Sequence, residues 1–309
     1  MISKIDLFHY GDEQTLMTIA RFEVFAKVVE LESFTKAAEQ LNMTQSAVSH
    51  AIASLESEWG HALLVRERKK GILLTEVGQR TIVHIREILN RMEIIQQELA
   101  LASQLEVGTI RIGTFASASA CVLPKILAKF QKKHPKIEFR FYEGTYEEIT
   151  EWLATGVIDI GFVVQPDTKS AFDWVPLVKD EMVVAFSENH PFGQEDVVPV
   201  RALQNEPFIL PTGMYQAHVQ AIFRQAKVAP NIRFEVKDCN TIANMVQEGL
   251  GVTVGPALFL KTQPNLQTRR LDVEHWRTIA LACPSICDAS PAVKAFLAAA
   301  GTVIGAEKR

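Results

Sequence analysis

Thr44-Gln45-Ser46-Ala47-Val48-Ser49-His50-Ala51-Ile52-Ala53-Ser54-Leu55-Glu56 constrains the fold of this chain more than any other stretch. Val48, Ile52 and Leu55 recur at helical spacing, which predicts a helix with one apolar stripe and a small, polar first turn. Just upstream, Ser33-Phe34-Thr35-Lys36-Ala37-Ala38 opens a shorter helix that closes around Leu41-Asn42. Ser33 suits an N-cap, and Ala37-Ala38 are small enough for another helix to cross closely. Two short helices joined by a tight polar turn make a helix-turn-helix. The second helix offers Thr44, Gln45, Ser46, Ser49 and His50 outward, where such a motif meets base edges in a DNA major groove. A small helical bundle with no nucleic-acid role shares the pattern, but the residues that follow favour the first reading.

Arg66, Arg68, Lys69 and Lys70 cluster between the apolar runs Leu63-Leu64-Val65 and Ile72-Leu73-Leu74, as at the tip of a β-hairpin wing. A wing of that charge contributes affinity through phosphates more than sequence discrimination. The net charge of the chain is −4 and its second helix carries no Lys or Arg, so one subunit should hold DNA weakly. Tight binding then calls for a dimer on two half-sites.

Phe22 to Gly78 resembles the winged helix-turn-helix of LysR-type transcriptional regulators. The resemblance rests on Phe25, Ser33-Phe34-Thr35, Ala37-Ala38, Leu41, Gln45-Ser46-Ala47-Val48-Ser49, Ile52, Leu55-Glu56, Gly60, Leu63, Arg66, Leu74-Thr75 and Gly78, in the family's order and spacing. Glu32, Ser46 and Leu64 stand where the family often has Gly, Pro and Phe, and no polar reader or core position is lost. The likeness covers nearly everything after Met17, which leaves Met1 to Leu16 as an N-terminal extension. It implies Thr44, Gln45, Ser46, Ser49 and His50 as readers of base or backbone, Ser33 and Thr35 on phosphate, and Arg66 and Arg68 as wing contacts.

Thr75 is placed to cap a proline-free segment, Glu76 to about Gln104, in which Ile82, Ile85, Leu89, Met92 and Leu99 alternate at three and four, with Gln96 at the one interrupted position. Ile88 and Ile95 widen the stripe. A helix this long projecting from a small domain needs a second copy to cover such a face; in the family it is the linker helix. After Val107-Gly108 the texture becomes alternating strand and helix. Strands are predicted at 109–113, 137–141, 157–164, 207–210, 232–236, 252–254 and 276–282, and helices at 119–133, 147–155, 215–227, 241–248 and 290–300. Two βα units of matching rhythm suggest a bilobed, doubly wound α/β domain.

The fold class is therefore multi-domain, α plus α/β. The expected division is an extension at 1–16, a winged helix-turn-helix at 17–76, a linker helix at 77–104 and an effector domain at 109–305. Lobe I is expected at 109–165 and 269–305, and lobe II at 166–268, with crossovers at Gln165-Pro166 and near Gln267. Ligands in open α/β sheets sit beyond the C-terminal ends of strands. Those ends lead into Thr114-Phe115-Ala116-Ser117-Ala118-Ser119, Glu143-Gly144-Thr145-Tyr146, Pro211-Thr212-Gly213-Met214 and Gly255-Pro256. Helix N-termini with hydroxyls suit an anion, so a small carboxylate or a neutral metabolite is the expected effector. Ser117, Ser119, Thr145 and Thr212 are equally suited to cap their helices. The family places effector contacts at the positions of Ser117, Thr145 and Thr212, with Phe115, Tyr146, Met214 and Tyr215 as candidate walls.

No Gly-rich phosphate loop, metal-spaced His/Glu cluster or Gly-x-Ser-x-Gly elbow is present, so an enzyme is not expected, nor a cofactor or metal beyond the small-molecule effector. Asp159 reads as a strand terminator or as a partner of local backbone. No apolar run reaches membrane length and no signal peptide opens the chain, so a cytoplasmic protein without a membrane partner is expected. Cys121, Cys239, Cys283 and Cys287 are too few and scattered for a disulfide framework. The expected partners are promoter DNA with inverted half-sites, a small molecule, further copies of the chain as homodimer and homotetramer, and RNA polymerase. Two alternatives stay open: a thiol-redox regulator of the same architecture switching at Cys121 or Cys239, and a solute-binding protein.

Overall fold

A computed structural model describes residues 12–67, 71–102, 107–164, 171–213 and 215–306, without the side chains of 12–18, 66, 67 and 303–306. The chain divides into two compact units, Met1–Gln96 and Gln97–Arg309. The first contains α1 (Asp12–Leu31), α2 (Phe34–Gln40), α3 (Gln45–Trp59), β1 (Leu64–Glu67) and β2 (Gly71–Leu74), and α4 (Glu76–Ala102) runs out of it. Helix α1 thus begins inside the stretch read as an extension. Its core gathers Phe22, Phe25 and Val28 of α1, Ala37 and Ala38 of α2, Val48, Ile52 and Leu55 of α3, and Leu63.

Strands β1 and β2 pair antiparallel from Leu64↔Leu74 to Glu67↔Gly71, which is the hairpin expected of the wing. Glu56 ties that wing to α3, its Oε1 accepting from the amides of Leu63 (2.7 Å) and Leu64 (3.1 Å). Thr75 closes the hairpin onto α4. Its hydroxyl donates to the Ala62 carbonyl (2.8 Å) and accepts from the Gly78 amide (2.9 Å).

The apolar stripe of α4 divides in two. Ile82 and Ile85 are buried in the first unit's own core and Leu89 packs on it, so that half of the expected dimer seam is intramolecular. The exposed large apolar residues of α4 are Ile88, Met92, Ile95 and Leu99, spaced four, three and four, and Leu101 beside them.

The second unit opens with β3 (Gly108–Thr114), α5 (Ala116–Cys121), α6 (Leu123–Lys133), β4 (Ile137–Glu143), α7 (Tyr146–Ala154) and β5 (Ile160–Val164). It continues through β6 (Asp173–Ser187), β7 (Val197–Val198), β8 (Pro207–Pro211), α8 (Gln216–Ala226), β9 (Asn231–Val236) and α9 (Cys239–Gln247). It ends with β10 (Thr253–Pro256), α10 (Ala257–Leu260), β11 (Leu266–Leu271), β12 (Trp276–Cys283) and α11 (Pro291–Ala306). Strands β4, β3 and β5 are parallel neighbours, and β12 adds antiparallel to β5.

Strand β6 joins both lobes. Asp173 to Glu181 pair with β12, whereas Met182 to Ser187 pair with β10 and β11. The change of partner therefore falls at Glu181/Met182, not at Gln165-Pro166, which lies outside the described residues. Gln267 pairs with Phe186 inside lobe II, so the return crossing lies between Leu271 and Trp276. The main apolar core of lobe I gathers around Phe130, Phe162 and Phe296 and that of lobe II around Phe186, Phe208 and Phe223, with a second, smaller cluster of Ile209, Ile242 and Val246 in lobe II.

Candidate functional site

In the helix-turn-helix, Thr44 caps α3 with its hydroxyl accepting from the Ala47 amide (3.2 Å), and Ser33 caps α2 by accepting from the Lys36 amide (3.2 Å). Between them Asn42 takes a left-handed φ of 53°, a conformation Asn tolerates better than most residues. Burial of Val48, Ile52 and Leu55 turns Gln45, Ser46 and His50 to solvent and leaves Ser49 half-buried. The exposed groups are already ordered among themselves, Gln45 Nε2 donating to Ser49 Oγ (3.2 Å) and Thr44 Oγ1 lying 3.0 Å from Ser46 Oγ. Thr35 is exposed at the start of α2. Arg66 lies on β1 opposite Ile72 with its side chain undescribed, and Arg68 lies outside the described residues.

A cleft of about 370 Å³ opens between the lobes of the second unit. Phe115, Tyr215 and Cys239 form its buried floor, and Glu143, Thr145, Glu148, Gly213, Lys237 and Asp238 are among its rim. A Cβ at Gly144 would come 2.5 Å from the outer edge of the Trp152 ring, so a larger residue there would displace that ring. Of the residues expected at this site, Phe115, Thr145, Gly213 and Tyr215 line it, Tyr146 does not, and Met214 lies outside the described residues. Thr114 and Ser117 are buried, and neither they nor Thr212, Gly255 and Pro256 are among its lining residues.

Of the helices that begin at the cleft, α7 and α9 are capped by side chains, whereas α5 and α8, whose N-caps Phe115 and Tyr215 line it, have no side-chain cap. Thr145 and Glu148 form a reciprocal capping box on α7, with the Thr145 amide donating to Glu148 Oε2 (2.7 Å) and Thr145 Oγ1 accepting from the Glu148 amide (3.2 Å). Asp238 caps α9, its Oδ1 accepting from the Thr241 amide (2.7 Å) and hydroxyl (2.8 Å). These hydrogen bonds hold the Glu148 and Asp238 carboxyls below their usual range, so both are ionised near neutrality.

Behind the floor lies a residue the sequence reading did not single out. Arg277 on β12 is 1% exposed, and its Nε and Nη2 donate to Asp180 Oδ2 at 3.0 and 2.7 Å. Its Nη1 donates to Tyr146 Oη (2.7 Å), and its Nη2 donates also to Ser117 Oγ (2.8 Å). Asp180 Oδ1 accepts from the Leu258 amide of α10 (2.8 Å). The network thus touches both lobes.

Near the return crossing, His218 Nδ1 lies 2.9 Å from His275 Nε2, while the His275 carbonyl accepts from the Met182 amide (2.8 Å). Burial, and after it the neighbouring His275, holds His218 at about 4, below its ordinary 6.5, and burial lowers His275 too. A histidine with a depressed folded pKa takes up more protons unfolded, so the fold loses stability as pH falls from about 7 toward 4. The urea midpoint of the second unit should fall between pH 7.5 and 5, and fall less in His218→Gln. An equal fall in both proteins would show that the pair does not set this dependence.

Two family models account for almost all of the chain. Residues 19–79 match the bacterial regulatory helix-turn-helix protein, lysR family, and residues 103–304 match the LysR substrate binding domain. The chain belongs to the LysR family. This LysR-family protein is a DNA-binding transcriptional regulator that responds to a small-molecule effector, and not an enzyme. It is 40% identical over 294 residues to YvbU of Bacillus subtilis, an uncharacterized HTH-type transcriptional regulator, covering 94% of this chain and 100% of that one. Its fold is shared with a full-length OxyR variant from Pseudomonas aeruginosa at a TM-score of 0.72, with 20% identity over 93% of this chain and 97% of that one. The effector binding domain of QuiR in complex with shikimate superposes at a TM-score of 0.59, with 23% identity over 65% of this chain and 98% of that one. No helix among the described residues of the regulator is long and apolar enough to cross a membrane.

Proposed function

We propose that two copies of this regulator, joined through α4, read inverted half-sites with α3 in the major groove, and that an effector in the interlobe cleft alters the spacing or bend of those contacts. The exposed polar face of α3, with Gln45, Ser46 and His50 at its start, carries this reading. Ser49 beside them, Thr44, Ser33 and Thr35 next to the turn, and Arg66 and Arg68 on the wing complete the interface. The exposed row Ile88, Met92, Ile95 and Leu99 supports pairing of α4 in a coiled coil. Cytoplasmic residence and contact with RNA polymerase go with that role, and pairs of dimers give the expected tetramer.

Lobe I then comprises 109–181 and 276–305, and lobe II 182–271. The cleft would hold a metabolite of the size of shikimate, the ligand of the QuiR complex. A ligand shifts the regulator only by its difference in affinity for the two arrangements of the lobes. The thiol alternative has less support, because burial pushes the Cys121 and Cys239 thiols up, away from the thiolate that oxidation needs.

The test is footprinting and titration on the promoter upstream of its own gene. Gln45→Ala should relax sequence preference, costing about 1–3 kcal/mol on the cognate site alone. Arg68→Ala should weaken all DNA alike and reduce the slope of log affinity against log salt by about one. Equal loss of discrimination in both proteins would sink this division of roles.

A further inference from the structure

We infer that Gln97 is the positioning residue through which the effector unit acts on α4: its buried carboxamide fastens the end of that helix to lobe I. The inference rests on reading the interlobe cleft as the effector site, and concerns the path that leads from it.

Gln97 breaks the pattern of its helix. Beyond Ile85 it is the only buried residue of α4 among those described, 5% exposed beside the exposed Ile95, Gln96, Glu98 and Leu99. A carboxamide is costly to bury unless its polar atoms are matched, so its partners decide its place. The division of the chain into two compact units falls at the same point, between Gln96 and Gln97.

Two elements of lobe I hold it. Helix α11 opens with Pro291, which has no N–H, so Ala292 is its first donor, and that amide donates to Gln97 Oε1 (3.3 Å). The next two amides are met locally, Val293 by Ser290 Oγ (3.3 Å) and Lys294 by the Ser290 carbonyl (2.9 Å). A residue 195 positions upstream therefore completes the start of the last helix. Gly108, the first residue of β3, lies against the same carboxamide. Its φ is 153°, and a Cβ there would come 2.7 Å from Gln97 Cδ and Nε2. Strand and helix are both seated in the lobe I core, through Ile110 and Ile112 and through Val293 and Phe296.

Strand β3 connects this tie to the cleft. It runs from Gly108, at the glutamine, to Thr114, which leads into Phe115 of the cleft floor, a span of about 20 Å. It pairs with β4 over its whole length and with β5 near the cleft, so it moves with its sheet as one body. A reorientation of lobe I at the floor is then carried to the end of α4 by the carboxamide. Without that side chain only main chain joins the two, and rotation about its soft dihedrals takes up the motion.

The test uses the full-length protein and two substitutions. Gln97→Met keeps the side-chain length and removes the carboxamide. Hydrogen exchange at the start of α11 should then quicken about tenfold, with lobe II unchanged. Ala116→Trp places an indole in the cleft and stands in for a ligand there. Bending of the promoter fragment upstream of the gene is measured by circular permutation for wild type, both single variants and the double variant. Ala116→Trp should change the bend. Gln97→Met should keep DNA affinity, and the double variant should bend DNA as Gln97→Met does. Gln97→Glu retains an acceptor for the Ala292 amide, with a charge that a helix N-terminus favours, and should restore the response to Ala116→Trp. Unchanged exchange in Gln97→Met, or a response to Ala116→Trp that survives it, overturns the inference and leaves the cleft reading standing. Ala116→Trp with the wild-type bend would instead remove the cleft reading, and the role of Gln97 with it. If Gln97→Met loses protection throughout both lobes, Gly108→Ala replaces it, since it displaces the carboxamide with Gln97 intact and carries the same expectations.

Discussion

Arg277→Met is expected to destabilise the effector-binding unit by about 3–5 kcal/mol, the cost of leaving a buried charge without its partner. Asp180 is 3% exposed and would keep only the Leu258 amide as a described hydrogen-bond donor. Ser117 and Tyr146 would lose the guanidinium as well. The pair's net contribution is much smaller than this loss, because both charges were removed from water to form it. Asp180→Leu combined with Arg277→Met should therefore recover most of the stability, giving a coupling of a few kcal/mol in a double-mutant cycle. Urea unfolding followed by tryptophan fluorescence can report this unit alone if Trp59 is first replaced by Phe, since Trp152, Trp174 and Trp276 all lie within it. A single mutant that loses less than about 1 kcal/mol would show that water reaches the pair. The double mutant has a functional reading too. It should keep the fold but loosen the link between α5 and α7 on one side and α10 on the other, so effector would bind with little change in the footprint.

The second large effect is expected at the wing. A Cβ at Gly78 would lie 2.2 Å from the Leu63 carbonyl oxygen, which also accepts from the Thr75 amide (2.9 Å). Backbone cannot swing aside as a flexible side chain does. Alanine would normally gain about 0.5–1 kcal/mol over glycine within a helix. Here it should instead cost about 3 kcal/mol, the upper end of an overpacking penalty, and detach β1 from the start of α4. DNA affinity should fall steeply while effector binding and the unfolding of the second unit stay as they were. Retained DNA affinity would mean that the wing is not held by this contact.

Much of the architecture is legible in local signals. The stripe Val48, Ile52 and Leu55, the cap Ser33, and the hairpin around the basic cluster all appear where spacing places them, because each is decided by residues within one or two turns. Strand β6 was not legible. Its halves serve different sheets, so no single alternation runs through it, and Pro176 in its first half argues against a strand. The pairing steps from Val178↔Ile279 to Pro176↔Ala280, and this irregularity accommodates the proline. The α5–α6 break did have a signal: Pro124 restarts a helix in its first turn, where a single helix from Ser119 to Lys133 was expected.

The site follows the same division. Thr145 was found from the strand that precedes it. Asp238 was missed because its helix was expected to start at Thr241, although Asp-x-x-Thr is a capping pattern. Arg277 and Asp180 are 97 residues apart and meet only through the pairing of β12 with β6, which no local window contains.

That pairing also orders the birth of the molecule. Lobe II occupies one uninterrupted stretch, so it can close as soon as β11 has emerged from the ribosome. Lobe I cannot. Strand β12 sits between β5 and the first half of β6, and α11 packs into the same core, so the first-made strands of that lobe wait for the last-made segment of the chain. The lobe encoded second is therefore free to mature first, and a nascent chain stalled before β12 would carry a finished lobe II beside an open sheet edge. That edge is the place where a holding chaperone would be needed.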